Sequence, residues 1–214
     1  MKEKRIISIL GDSVSTFEGM TPPDAVFYGT WNAEETGVIT QEDTWWMQVI
    51  RALDASLGVN HSLAGSLVTG RTAVSGTSER RIRSLGENGD PDMILVAMGA
   101  NDWGFRVLPE EFREEYRRML LQLKRCYPQA DIRCATLPEG VLPEESWSFF
   151  DVDGCISSRV YSDIIRTAAN EAEVGVVALD GTEYPSIDGV HPNKDGMDVL
   201  ARAWIRSLRE GGIN

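Results

Sequence analysis

Apolar residues in this chain cluster in two ways, and the contrast predicts its elements. Four short runs are continuously apolar: Arg5-Ile-Ile-Ser-Ile-Leu10, Asp92-Met-Ile-Leu-Val-Ala-Met98, Asp131-Ile-Arg-Cys-Ala-Thr136 and Val174-Gly-Val-Val-Ala-Leu179. A weaker one covers residues 57–63. Runs without alternation suit strands buried on both faces of a parallel sheet. Between them the apolar positions fall at helical spacing. Trp46, Val49, Ile50 and Leu53 form one stripe. Phe112, Tyr116, Met119, Leu120 and Leu123 form another behind Pro109-Glu-Glu, a favourable helix start. A further helix is expected over about residues 154–173. Met197, Leu200, Ala201, Trp204, Ile205 and Leu208 mark a last one after His191-Pro192. Strands alternating with helices imply right-handed crossovers and a three-layer α/β/α architecture. Two long irregular stretches, about residues 18–43 and 137–153, are expected to form walls or lids.

With no repeat, low-complexity tract or dividing linker, residues 1–214 read as a single domain. The formal charge of −12 argues against nucleic acid and anionic membrane surfaces as partners, since both favour basic patches. Cys126, Cys134 and Cys155 lack metal-ligand or disulfide-framework spacing and read as reduced residues. The charged amino terminus is followed by an apolar run too short for a signal peptide, and no run is long enough to span a membrane. A cytoplasmic location is the default expectation.

Four segments carry candidate chemistry, all at carboxyl ends of expected parallel strands and hence on one sheet edge. Gly11-Asp12-Ser13 follows the first strand, Asn60-His-Ser-Leu-Ala-Gly65 the second, and Gly99-Ala-Asn101-Asp102 the third. Asp188-Gly-Val-His191 follows the last by a loop. A serine at a strand exit needs an imidazole to take its proton and a carboxylate to orient that imidazole. His191 has a carboxylate three residues before it; His61, the other histidine, reads as a hydrogen-bonded supporting or core residue. Taken singly, each segment is also an ordinary turn or helix entry. Asp12 is expected to support its loop rather than react.

These four blocks, in this order, resemble the SGNH hydrolases, also called GDSL esterases and lipases. The resemblance spans nearly the whole chain. It implies a flavodoxin-like fold with a five-stranded parallel sheet, and a carboxylic ester hydrolase needing no cofactor or metal. It further implies Ser13 as nucleophile, His191 as base and Asp188 as its orienting partner. The oxyanion hole would comprise the Ser13 and Gly65 backbone N–H groups and the Asn101 side-chain amide. The first block departs slightly, with Val14-Ser-Thr-Phe-Glu18 before Gly19.

Competing motifs are absent: no GxG, no Gly-Lys pair for a P-loop, no GxSxG elbow. Two histidines far apart are too few for a dinuclear phosphoesterase. Trp31, Trp103 and Trp147 are candidate substrate-binding residues, in loops that also hold Phe27, Tyr28, Phe105, Phe149 and Phe150. Flat aromatic faces suit sugar rings, and apolar walls suit acyl chains. The expected partner is therefore a small-molecule ester, O-acetyl on a carbohydrate or polyol foremost. A lipase or thioesterase is the alternative, ahead of a non-catalytic binding protein. The oligomeric state is open.

Overall fold

Residues 4–141 and 156–213 are described by the computed structural model. The five expected runs form strands β1 (Ile6–Gly11), β2 (Ser56–Ser62), β3 (Met93–Ala97), β4 (Asp131–Ala135) and, after the short β5 (Glu139–Val141), β6 (Gly175–Val177). The main sheet has the order β2-β1-β3-β4-β6, with every pair parallel. It is flanked by helices on both faces, so the expected α/β/α fold is the one observed.

Alternation within each run explains why the strands are mostly apolar on both faces. Ile7 and Ile9 of β1, with Met93 and Leu95 of β3, join one buried cluster. That cluster includes helices α2 (Trp45–Ala52) and α7 (Lys194–Glu210), whose Trp45 and Trp204 rings stack at 4.8 Å. Leu10, Ile94 and Val96 point the other way. They join α3 (Glu79–Ser84), α5 (Pro109–Cys126) and α6 (Ser158–Ala172). A polar side chain on either face is buried and needs a partner, which is why the runs are mostly apolar and why Ser8 in β1 hydrogen-bonds Leu85 O at 2.8 Å.

The helices begin where side chains satisfy their first N–H groups. The Thr44 hydroxyl accepts from Met47 N–H, and the Asn193 side chain accepts from Gly196 N–H. The expected helix over 154–173 starts at Ser158, after the Ser157 cap.

The two long irregular stretches hold short elements that the sequence pattern does not show. Within the stretch 137–153, Glu139–Val141 forms β5 and pairs in parallel with β7 (Glu183–Pro185); three-residue strands carry too little pattern to read. The stretch 18–43 holds only a single-turn helix α1 (Ala33–Thr36) and two 3₁₀ turns, yet Tyr28 and Val38 in it are fully buried. It is a packed wall. Helix α4 (Ala100–Gly104) opens directly behind β3.

The order places β1 and β3 side by side at the sheet's switch point, where their connections leave in opposite directions and a crevice opens at their carboxyl ends. Ser13 lies just past β1 and Asn101 just past β3.

Candidate active site

The turn after β1 is built by its own residues. Asp12 Oδ1 accepts the Val14 N–H at 3.2 Å, opening a 3₁₀ turn over Ser13–Ser15. Thr16 closes it, donating its hydroxyl to Ser13 O at 2.8 Å. Gly11 allows the close approach behind the turn: a Cβ there would lie 2.6 Å from Ser62 Oγ and 2.7 Å from Ser15 Cβ. Buried Arg81, 1% exposed, donates to Gly11 O and His61 O at 2.9 and 2.8 Å, and to Val74 O at 2.6 Å. It ties the ends of β1 and β2 together beneath the turn.

His191 arrives on a loop closed on itself. Ser186 and Pro192 form a β-bridge, and Ile187 N–H donates to His191 O at 2.9 Å. Asp188 Oδ1 accepts the Val190 and His191 N–H groups, and its Oδ2 lies 2.6 Å from His191 Nδ1. Burial works to raise the Asp188 carboxyl, but these hydrogen bonds outweigh it and hold the group below its ordinary range. His191 Nε2 lies 2.9 Å from Ser13 Oγ across 178 residues of chain. Asp188, His191 and Ser13 thus form one continuous hydrogen-bonded line, with Ser13 only 7% exposed at its inner end.

Asn101 lines the same cleft as Ser13 and is tied to the loop that carries Gly65. Asn101 Nδ2 donates to Ser66 O at 3.0 Å, using one amide hydrogen and leaving the second available. Gly65 sits at φ +72°, with no heavy atom within 4 Å of where a Cβ would stand, so its exposed face is open. The residue after Asn101 has a supporting part that its place in a turn-like segment does not reveal. Asp102, fully buried, accepts Val68 N–H at 2.8 Å, Thr69 N–H at 3.0 Å and Thr69 Oγ1–H at 2.8 Å. Burial pushes its carboxyl up against the pull of these donors. The loop carrying Gly65 is clamped to α4 by two consecutive side chains.

A cleft of about 250 Å³ is lined by Ser13, Asn101, Trp103, Phe105, Val190 and His191 among others, and Gly65 is not among its lining residues. Trp103 forms part of its wall and spends its indole N–H on Ile156 O. Phe105, 70% exposed, sits at the rim. Trp31 does not line this cleft; it is 59% exposed and its N–H donates to Phe27 O at 3.1 Å. Trp147, Phe149, Phe150 and Cys155 lie outside the described residues. Asp12 supports its loop as expected, and burial, the largest influence on it, pushes its carboxyl up to about 6. His61 is half-buried. Its backbone carbonyl accepts from Arg81, and Nδ1 has no partner among the described residues. Burial, with Arg81 adding to it, lowers this imidazole to about 4, so it is neutral at physiological pH. No helix of the described residues is long and apolar enough to cross a membrane.

The family model of GDSL-like lipases and acylhydrolases matches residues 5–208. Solved structures with the same fold include a protein from Bacteroides ovatus assigned to the GDSL-like lipases. It is 21% identical, with a TM-score of 0.75 over 98% of this chain and 100% of that one. Est24, a carbohydrate acetylesterase from Sinorhizobium meliloti, is 16% identical with a TM-score of 0.68, covering 99% and 100%. A family two carbohydrate esterase from Cellvibrio japonicus is 19% identical with a TM-score of 0.66, covering 98% of this chain and 62% of that one. No curated protein sequence matches the chain.

Proposed function

The chain belongs to the family of GDSL-like lipases and acylhydrolases and is an ester hydrolase, and on that premise we propose that it is a serine esterase that removes short acyl groups, O-acetyl on a carbohydrate or similar small polyol foremost. The observation that carries this reading is the unbroken line from Asp188 through His191 to Ser13, with bonds of 2.6 and 2.9 Å.

The chemistry follows from that line. Neutral His191 takes the Ser13 Oγ proton at Nε2 as the oxygen attacks the acyl carbonyl carbon. Asp188 keeps the Nδ1 proton in place and stabilises the imidazolium. The negative charge that develops on the carbonyl oxygen is met by the Ser13 and Gly65 N–H groups and the free amide hydrogen of Asn101. His191 then returns its proton to the departing alcohol oxygen, leaving the acyl group on Ser13. Water repeats the sequence: His191 takes its proton, the hydroxyl attacks the acyl carbon, and Ser13 leaves with the proton.

Two features support a short acyl group. The cleft is about 250 Å³, at the small end for ligand sites. An adjoining apolar pocket, sharing Asp12, Val14, Ala100 and Val190 with the cleft and lined also by Trp45, Leu200 and Trp204, is only about 60 Å³. The likeness to structures of a carbohydrate acetylesterase and a carbohydrate esterase supports the sugar as the alcohol part.

Hydrolysis of p-nitrophenyl acetate and of acetylated sugars by single-site variants tests the mechanism. Ser13→Ala and His191→Ala should each abolish nearly all activity, leaving about 10³-fold over water from binding and the oxyanion hole. Asp188→Asn should cost on the order of 10⁴-fold by upsetting the imidazole tautomer. Full activity in Ser13→Ala, or loss of wild-type activity on adding EDTA, would overturn the reading.

A further inference from the structure

The imidazole of His191 is held by more than its two hydrogen bonds. Bonds at Nδ1 and Nε2 both lie in the ring plane, so they fix the line joining the nitrogens but not rocking of the ring about that line. Only a contact on the ring face opposes such rocking. Phe27 supplies it, stacked on His191 with centroids 3.6 Å apart and planes 7° from parallel.

Phe27 is itself braced from both ends of the reacting pair. Its N–H donates to Thr16 Oγ1 at 2.9 Å, and the same hydroxyl donates to Ser13 O at 2.8 Å. Its carbonyl takes hydrogen bonds from Trp31 Nε1 and Asn32 Nδ2, at 3.1 and 2.8 Å. The next residue, Tyr28, packs edge-on against the Phe27 ring and donates its hydroxyl to Pro192 O at 2.9 Å. A path therefore runs from the Ser13 turn through Thr16 and Phe27 to the His191 ring, and returns through Tyr28 to the backbone beside His191. Thr16 comes from the stretch Val14-Ser-Thr-Phe-Glu18, where the first block departs from the usual family pattern.

We infer that Phe27 is a positioning residue for His191, its ring face keeping the imidazole in line with Ser13 and favouring the imidazolium formed as the serine proton is taken. Two neutral rings gain little from facing each other in parallel, whereas a cation over an aromatic face is attracted to it. The stack is therefore stronger after proton transfer than before, and an interaction that strengthens toward the transition state raises kcat rather than tightening substrate binding.

The inference rests on the assignment of Ser13 and His191 as nucleophile and base, and one experiment separates the two. Steady-state hydrolysis of p-nitrophenyl acetate is measured for wild type, Ser13→Ala, Phe27→Leu and Phe27→Tyr, with the unfolding midpoint of each. Phe27→Leu keeps apolar bulk but has no ring face; kcat should fall roughly 10-fold with KM within about twofold. Phe27→Tyr keeps the face and should stay within about threefold of wild type in kcat. Wild-type kcat in Phe27→Leu, or equal losses in the two variants, overturns the positioning role while leaving the nucleophile assignment intact. An active Ser13→Ala overturns the assignment itself. Should Phe27→Leu fail to fold, Phe27→Tyr decides alone: a tenfold loss there overturns the proposal.

Discussion

Asp102 holds Thr69 twice, accepting its backbone N–H at 3.0 Å and its hydroxyl at 2.8 Å. With Val68 N–H at 2.8 Å as a third donor, this one buried carboxylate sets where the strand-exit loop bearing Gly65 lies relative to α4, which bears Asn101. Two proposed oxyanion donors from distant parts of the chain thus share a common fixing point.

Replacing Asp102 by Ala leaves buried donors without an acceptor, a penalty of about 1–3 kcal/mol for each such group before relaxation. Asp102→Ala should therefore lose on the order of 3 kcal/mol in urea unfolding. Its kcat should fall at least ~10-fold at temperatures where it remains folded, because a misplaced Gly65 no longer meets the developing charge. A folded variant with wild-type kcat would reduce the clamp to a purely structural one.

Asn101 contributes where charge appears rather than where substrate rests. Asn101→Ala should lower kcat by roughly 10²–10³-fold with a smaller change in KM. A structure bound to a phosphonate analogue gives the geometric check: the amide should point at the phosphonyl oxygen that replaces the oxyanion. An Asn101 side chain turned away in that complex would remove it from the hole.

Asp12 gives the fold a pH dependence of unusual sign for a carboxyl group. Burial lifts its pKa from 3.8 to about 6, against the Val14 N–H and the nearby His191 and Arg81. Below about pH 3.8 folded and unfolded chains both hold this proton, and above about 6 neither does. In between only the folded chain holds it, so Asp12's contribution falls as pH rises through that window and is constant above it. At about 1.36 kcal/mol per unit the total is on the order of 3 kcal/mol. Asp12→Asn retains an oxygen for Val14 N–H and abolishes the titration. Its unfolding free energy relative to wild type should rise between pH 4 and 6 and then level. A difference independent of pH would show that Asp12 titrates alike in both states.

Chain length is the sharpest probe of the substrate reading. On p-nitrophenyl esters kcat/KM should be greatest from acetate to butyrate and decline by octanoate, since both the cleft of about 250 Å³ and the adjoining pocket of about 60 Å³ are small. A long-chain site would instead gain up to about 0.8 kcal/mol for each buried methylene. If octanoate or longer esters prove best, a lipase or thioesterase takes the place of the carbohydrate esterase. At the rim, Phe105→Ala should weaken an acetylated sugar more than p-nitrophenyl acetate, because the exposed ring offers a sugar a stacking face that the small ester does not need.

What the chain states locally can be read from it directly. Apolar runs and helical stripes depend on neighbours a few residues away, and all five long-run strands and four long helices stand near their expected places. The bond from Asp188 to His191 is equally local, three residues apart in one loop. The convergence of the four blocks was legible for a topological reason: carboxyl ends of parallel strands share one sheet edge, whatever the helices between them. Side-chain direction and long-range contact carry no such signal. Asp102 and a turn aspartate look alike in sequence, and only the fold brings Val68 and Thr69 to its oxygens. Nothing in the stretch 18–43 marks Phe27 as the ring that meets His191, or marks Trp31 as turned to solvent with its N–H on Phe27 O. Nothing local marks Arg81 as the residue to which β1 and β2 deliver the Gly11 and His61 carbonyls. Periodicity and block order determined the scaffold and the edge where the chemistry sits. The tertiary structure alone decided which buried charges and ring faces hold that chemistry in line, because those contacts join residues whose separation along the chain bears no relation to their distance in space.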